Sequence, residues 1–84
     1  MGKLLVGKVS HYFAKVGVAV VDLTAELKAG DKISFEGAHT NFHQTVASMQ
    51  IEHKTVASAK AGQSIGLKTS DRVHEHDAVY KITE

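Results

Sequence analysis

Apolar and polar positions alternate with a period of two along most of the chain, in short stretches ended by glycine or acidic turns, which is the pattern of β-strands. VGVAVVDL, Val16–Leu23, is the densest run of β-branched residues and spans only eight positions, a strand rather than a helix. An earlier strand is expected over Leu4–Phe13, with Gly7 marking a bulge or a close approach. LKAGDKI supplies a turn, Gly30 being suited to positive φ, and leads into a strand over Lys32–Glu36. Gly37–Asn41 reads as a loop. From Phe42 to His53, Ala47, Met49 and Ile51 alternate with Ser48, Gln50 and Glu52, which predicts one long half-buried strand. Ser64–Thr69 and Ala78–Thr83 complete the set. TVAS occurs at Thr45–Ser48 and at Thr55–Ser58, but the flanks differ, so no structural repeat is read, and the second copy is expected as a single helical turn. About six short strands with regular turn signals predict an all-β fold, a six-stranded, Greek-key-like closed β-barrel. Closure removes the sticky edges of a small open sheet.

With 84 residues, residues 1–84 are expected to form one domain around one core. The chain has no cysteine, which excludes a disulfide framework, thiolate metal sites and a cysteine nucleophile, and fits a reducing compartment. The opening MGKLLVGKVS has too short an apolar run for a signal peptide or a membrane span. A mature cytoplasmic protein is expected, with no membrane contact. The net charge is +1, so a nucleic acid would have to be held by a local patch rather than by the field of the whole domain.

VGKV, GVAVVDL, LKAGDKISFEG, VASMQIEHK, AKAGQSIGL and DAVYKI follow one another in an order that resembles the second, β-barrel domain of translational GTPases such as elongation factor Tu. Lys28, Gly30, Asp31 and Gly37 match its K-x-G-D turn and the glycine that follows; Ala61, Gly62, Ile65 and Gly66 match its A-G-x-x-[IV]-G. His11–Phe13, Lys15, Gly17–Val20 and Ser48–Lys54 are similar to a small-domain branch that also occurs as the C-terminal domain of collagenase-like peptidases, some of which act in RNA modification. The resemblance implies a barrel of the translation-factor domain 2 type and a setting near translation or RNA metabolism. It does not imply GTP hydrolysis, because no G-x-x-x-x-G-K-[ST] is present.

RVHEHDAVY, residues 72–80, is the stretch richest in metal-ligand chemistry. His74 and His76 share a face only if extended, and zinc would need a third ligand, with Asp77 and His53 the residues available. In the resembling domain this turn usually carries glycine where His76 stands. Histidine is among the residues enriched at positive φ, so HEHD is expected to be a surface turn and not a metal site. His39 and His43 are four apart, but outside a helix that spacing does not converge them. No G-x-S-x-G elbow accompanies the serines, histidines and aspartates, and the chain is expected to be non-catalytic with no cofactor.

SHYFAKVG, Ser10–Gly17, sets Tyr12 and Phe13 between His11 and Lys15, near Lys8. Aromatics interleaved with cations suit base stacking and phosphate contact. Lys8, His11, Tyr12, Phe13 and Lys15 are therefore the expected surface for RNA or a ribonucleoprotein, bound weakly and with salt dependence. On a strand only one of Tyr12 and Phe13 turns inward. Val16, Val18 and Val20 fall on one face and Ala19, Val21 and Leu23 on the other. Two apolar faces imply either a covered outer face or a twist that gathers all the valines into one core. The first case is the alternative function, docking of a protein partner or a second copy through Val16, Val18 and Val20.

Overall fold

A computed structural model describes residues 2–52 and 54–83. The strands are β1 (Gly2–Phe13), β2 (Val18–Leu23), β3 (Leu27–Lys28), β4 (Lys32–Glu36), β5 (Asn41–Thr45), β6 (Met49–Ile51), β7 (Lys54–Val56), β8 (Ser58–Ala59), β9 (Ser64–Lys68) and β10 (Ala78–Thr83). Eight of them form one antiparallel sheet in the order β5-β4-β10-β1-β2-β9-β6-β7, and β3 pairs with β8. Alternation drives the burial: β2 buries Ala19, Val21 and Leu23, and β9 buries Ile65 and Leu67. These join Val9, Ile33, Phe35, Met49 and Val79 in a single core cluster, each large side chain contributing about 1.5–3 kcal/mol by leaving water.

β1 lies between β10 and β2 and carries an irregularity against each. Its register slips between Leu5 and Gly7 against β10, and between Val9 and His11 against β2. At the first slip Val6 and Gly7 are both buried. A Cβ on Gly7 would lie 2.7 Å from the Asp22 carbonyl oxygen and 2.8 Å from Val21 Cγ1, which is the bulge and close approach expected there.

HEHD packs on the second slip. His76 N–H donates to the Val9 carbonyl at 2.7 Å, and Val9 N–H donates to the Asp77 carbonyl at 2.8 Å. Asp77 N–H closes the turn on the His74 carbonyl at 3.2 Å, while His74 N–H donates to Asp77 Oδ2 at 2.8 Å. His76 takes φ 73 and Glu75 does not take positive φ, the pattern of a type II turn. His76 thus stands where glycine is preferred. His76→Gly is expected to keep or raise stability, by a few tenths of a kcal/mol. Chemical denaturation checks this, and a loss above about 1 kcal/mol would mean that the imidazole itself holds the turn.

Three expectations are corrected. Val16 lies in the β1–β2 turn and not on β2: Val16 N–H and Gly17 N–H both donate to the Phe13 carbonyl, at 3.2 and 2.9 Å, and Gly17 takes φ 67. The strand expected over Phe42–His53 breaks at Val46, whose N–H donates to the Asp31 carbonyl and whose carbonyl accepts Gly30 N–H, both at 2.8 Å. There the chain leaves β4, the partner of β5, for β9, the partner of β6; His53 lies outside the described residues. Thr55–Ser58 is not a helical turn: it contributes to β7 and β8, because one turn of helix cannot compete with a ladder to β6 and β3.

The six-stranded closed barrel is also corrected. Among the described residues the ladder runs from β5 to β7 without joining its ends. The sheet curls, and on the β5 side the approach is made by one side chain. Gln44 Nε2 donates to the Lys68 carbonyl at 2.9 Å, and its Oε1 accepts Ser70 N–H at 2.7 Å. Alternation reports which residues face inward, whereas closure depends on strand tilt and stagger.

Candidate functional site

Strand register builds a continuous outer face on β1, β2, β9 and β6. Phe13 stands opposite Val18, and Val18 opposite Lys68. The next row runs His11, Val20, Gly66, Gln50. The third runs Lys8, Asp22, Ser64. Residues opposed in an antiparallel ladder share a face, so these rows lie side by side.

The valine expectation is resolved on this face. Ala19 and Val21 are fully buried, whereas Val18 and Val20 stay half-exposed outside the core. Twist does not gather them inward. Val16, 61% exposed, and Phe13, 48% exposed, flank them. Together with Gln50 these residues rim a shallow depression whose floor is Gly66. The ring of His11 meets that of Phe13 edge-on, centroids 4.4 Å apart.

The other aromatic of the pair goes elsewhere. Tyr12 pairs with buried Ala19 and packs against the core. The structure therefore brings His11, Phe13, Val16, Val18 and Val20 to one surface and removes Tyr12 from it. Lys15 is exposed in the β1–β2 turn. Lys8 is exposed in the row of Asp22, whose Oδ1 accepts the Ser64 hydroxyl at 2.6 Å. Gly66 and Gln50 were not singled out for this face, because only pairing between distant strands sets them beside the valines.

A second cluster gathers around HEHD. His39, from the β4–β5 loop, and His74 have ring centroids 5.9 Å apart. His74 Nδ1 shares a 3.0 Å hydrogen bond with Thr40 Oγ1 and lies 3.8 Å from Asp77 Oδ2. Among the described residues no three His, Asp or Glu side chains converge on a possible metal position, and a zinc site needs three or four protein ligands. These contacts tie the loop to the turn.

On the outer side of β4, Lys3 Nζ donates to Glu36 Oε2 at 2.6 Å and Ser34 donates to the same oxygen at 3.0 Å. The Lys3 hydrogen bond first, and then that of Ser34, hold the Glu36 carboxyl below its ordinary range. A carboxylate whose pKa is lowered by folding stabilises the fold above its unfolded value, and the contribution is lost as pH falls through the folded value. Lys3→Met is expected to lower stability slightly at neutral pH, the pair being a surface one, and to lessen the loss across that acidic window by the same small amount. Denaturation as a function of pH checks this; parallel profiles for the two proteins would contradict it.

No family model matches the sequence. Two curated proteins are similar to it over nearly its whole length. One is an uncharacterized protease of Methanocaldococcus jannaschii, 41% identical over 83 residues, a match covering 98% of this chain and 20% of that protein. The other is a collagenase of Porphyromonas gingivalis, 35% identical over 82 residues, covering 95% of this chain and 20% of that protein. Among solved structures, the C-terminal domain of a U32 peptidase of Geobacillus thermoleovorans superposes with a TM-score of 0.89, over 94% of this chain and 92% of that one, at 22% identity. Its selenomethionine variant gives 0.86 over 90% and 96%, also at 22% identity. The chain is similar to peptidase modules. It spans about a fifth of the length of both curated relatives.

These relatives correct the functional expectation. A protease, a collagenase and a peptidase's C-terminal domain are the similar proteins, so the collagenase-like side of the resemblance holds. The translation-factor assignment and the RNA-binding role given to Lys8, His11, Tyr12, Phe13 and Lys15 do not. Of the two aromatics, Tyr12 is the one that turns inward and Phe13 the one that stays exposed. No helix among the described residues is long and apolar enough to cross a membrane.

Proposed function

We propose that this chain is a non-catalytic accessory module of a U32-type or collagenase-type peptidase, one that associates with the peptidase body and cleaves no peptide bond itself. The observation that carries the reading is the pattern of likeness: two peptidase-class relatives match almost every residue of this chain, yet only a fifth of their own length. The rest of each relative leaves ample room for the catalytic part. The chemistry of the chain agrees with an accessory role. Its only buried carboxylate among the described residues, Asp77, caps the backbone of its own turn, and His74 is engaged by Thr40. An acid–base pair for peptide hydrolysis would instead face a substrate position.

The test is an assay of the purified chain on fluorogenic casein and gelatin. No turnover above blank is expected. Turnover that survives repurification and disappears in Asp77→Asn or His74→Ala would overturn the proposal and make the loop cluster an active site.

A further inference from the structure

The seven glycines of the chain separate by what the fold asks of them. Gly17, Gly30 and Gly62 take positive φ. Gly7 and Gly37 stand where a Cβ would strike the Asp22 carbonyl and the Asp77 side chain. Gly2 is at the start of β1, beside Thr83. Gly66 fits none of these cases. It lies in mid-strand without positive φ, and a Cβ there would meet Val18 Cγ1 at 3.6 Å and the Gln50 carbonyl at 3.9 Å, both ordinary contacts. No bulge accounts for it, since β9 keeps unbroken register with β2 across Gly66, which is also the last residue that β9 pairs with β6. Glycine in a strand interior weakens the strand, and it recurs where a ligand or another chain approaches closely. Gly66 is also the floor of the depression rimmed by Phe13, Val16, Val18 and Val20.

From this geometry we infer that the depression over Gly66 is the docking point for the body of a peptidase of the kind its relatives are, which seats a bulky apolar side chain there. The inference rests on the accessory-module reading and names the surface it uses. What identifies the occupant is the extent of the relatives. In both, the counterpart of this module is about a fifth of a single polypeptide, so a peptidase body is the one partner the module accompanies in both of these curated relatives. The body can be part of the same polypeptide or a separate one. Half-buried Val18 and Val20 and exposed Phe13 and Val16 supply an apolar rim of the type that closes around an anchoring side chain. Lys68, in the row of Val18, and Glu52, on the opposite rim, flank it with solvated charge, as expected of a polar margin around an apolar centre.

Photo-crosslinking in the native cell tests the inference. A benzophenone amino acid is introduced at Gln50 or Ser64, on the rim, and at Lys60 in the β8–β9 turn as a control, and crosslinked peptides are identified by mass spectrometry. Crosslinks from positions 50 and 64, and not from 60, into a peptidase body are expected. Gly66→Leu, which fills the floor, is expected to lower their yield at least tenfold, and Gly66→Ala to leave the melting temperature unchanged or higher. Crosslinks into the peptidase from position 60 alone would overturn the groove while sparing the accessory-module reading. Crosslinks from 50 and 64 into a second copy of this chain, or into proteins unrelated to peptidases, would overturn the partner. A fall in melting temperature in Gly66→Ala would show that the glycine serves a bend in the sheet, and would overturn the argument made from it.

Discussion

Gly37→Ala is expected to destabilise the protein by about 2–4 kcal/mol, the combined cost of overpacking and of disturbing a charge-assisted hydrogen bond. A Cβ at position 37 would overlap Asp77 Oδ1 and lie 2.7 Å from its Cγ and 3.4 Å from its Cβ. The carboxylate has little freedom to retreat. It is buried, its Oδ2 accepts His74 N–H, and its backbone is bonded to β1 at Val9. The loop cannot easily withdraw either, because Thr40 is buried and bonded to His74. The melting temperature should fall by about 10 °C or more for a domain of this size. Pairing with Asp77→Ser, which shortens the side chain and keeps an oxygen for His74 N–H, should cost less than the two single changes added together. Strict additivity, or a stable Gly37→Ala, would show that the loop and the turn are not in the contact described.

Tyr12→Ala and Phe13→Ala should have opposite consequences although the residues are adjacent. Tyr12 packs against the core opposite Ala19, so its removal should cost about 2–4 kcal/mol, somewhat less than a fully buried aromatic. Phe13 is 48% exposed, meets the ring of His11 edge-on and lies outside the core cluster, so its removal should change stability by no more than about 0.5 kcal/mol. If the depression over Gly66 docks a partner, Phe13→Ala should instead weaken that association by about 1–2 kcal/mol, as loss of a rim aromatic does. Urea denaturation and crosslinking yield, measured on both variants, separate the two effects. A large stability loss in Phe13→Ala would mean that β1 presents its other face to the core.

Part of the loop cluster is legible in the amino-acid sequence. The positive φ of His76 is implied by the resemblance, in whose turn glycine usually stands at that position, and it agrees with the tolerance of histidine for the left-handed region. The hydrogen bonds that make Asp77 the cap of its own turn are local, spanning His74 to Asp77. The contact with Gly37 and His39 is not legible there, since it joins residues more than thirty positions apart.

The alternation of side chains alone determined that the protein is all-β, that Ala19, Val21 and Leu23 share one face of their strand, and that one of Tyr12 and Phe13 turns out. Side-chain period along a strand is a consequence of backbone geometry and needs no partner. It also determined that Val18 and Val20 lie on the other face, while which of the two faces is the core was decided by the fold. Only the tertiary structure decided which strands are neighbours, that β10 enters between β1 and β4, and that among the described residues the ends of the sheet do not join in a ladder. Those choices depend on bulges, register and long-range hydrogen bonds, whose energies are set by residues far apart in the chain. Gly66 belongs to this second class. Its mid-strand position was visible in the strand read over Ser64–Thr69, but that it is a gap in an apolar outer face follows only from the pairing of β9 with β2 and β6.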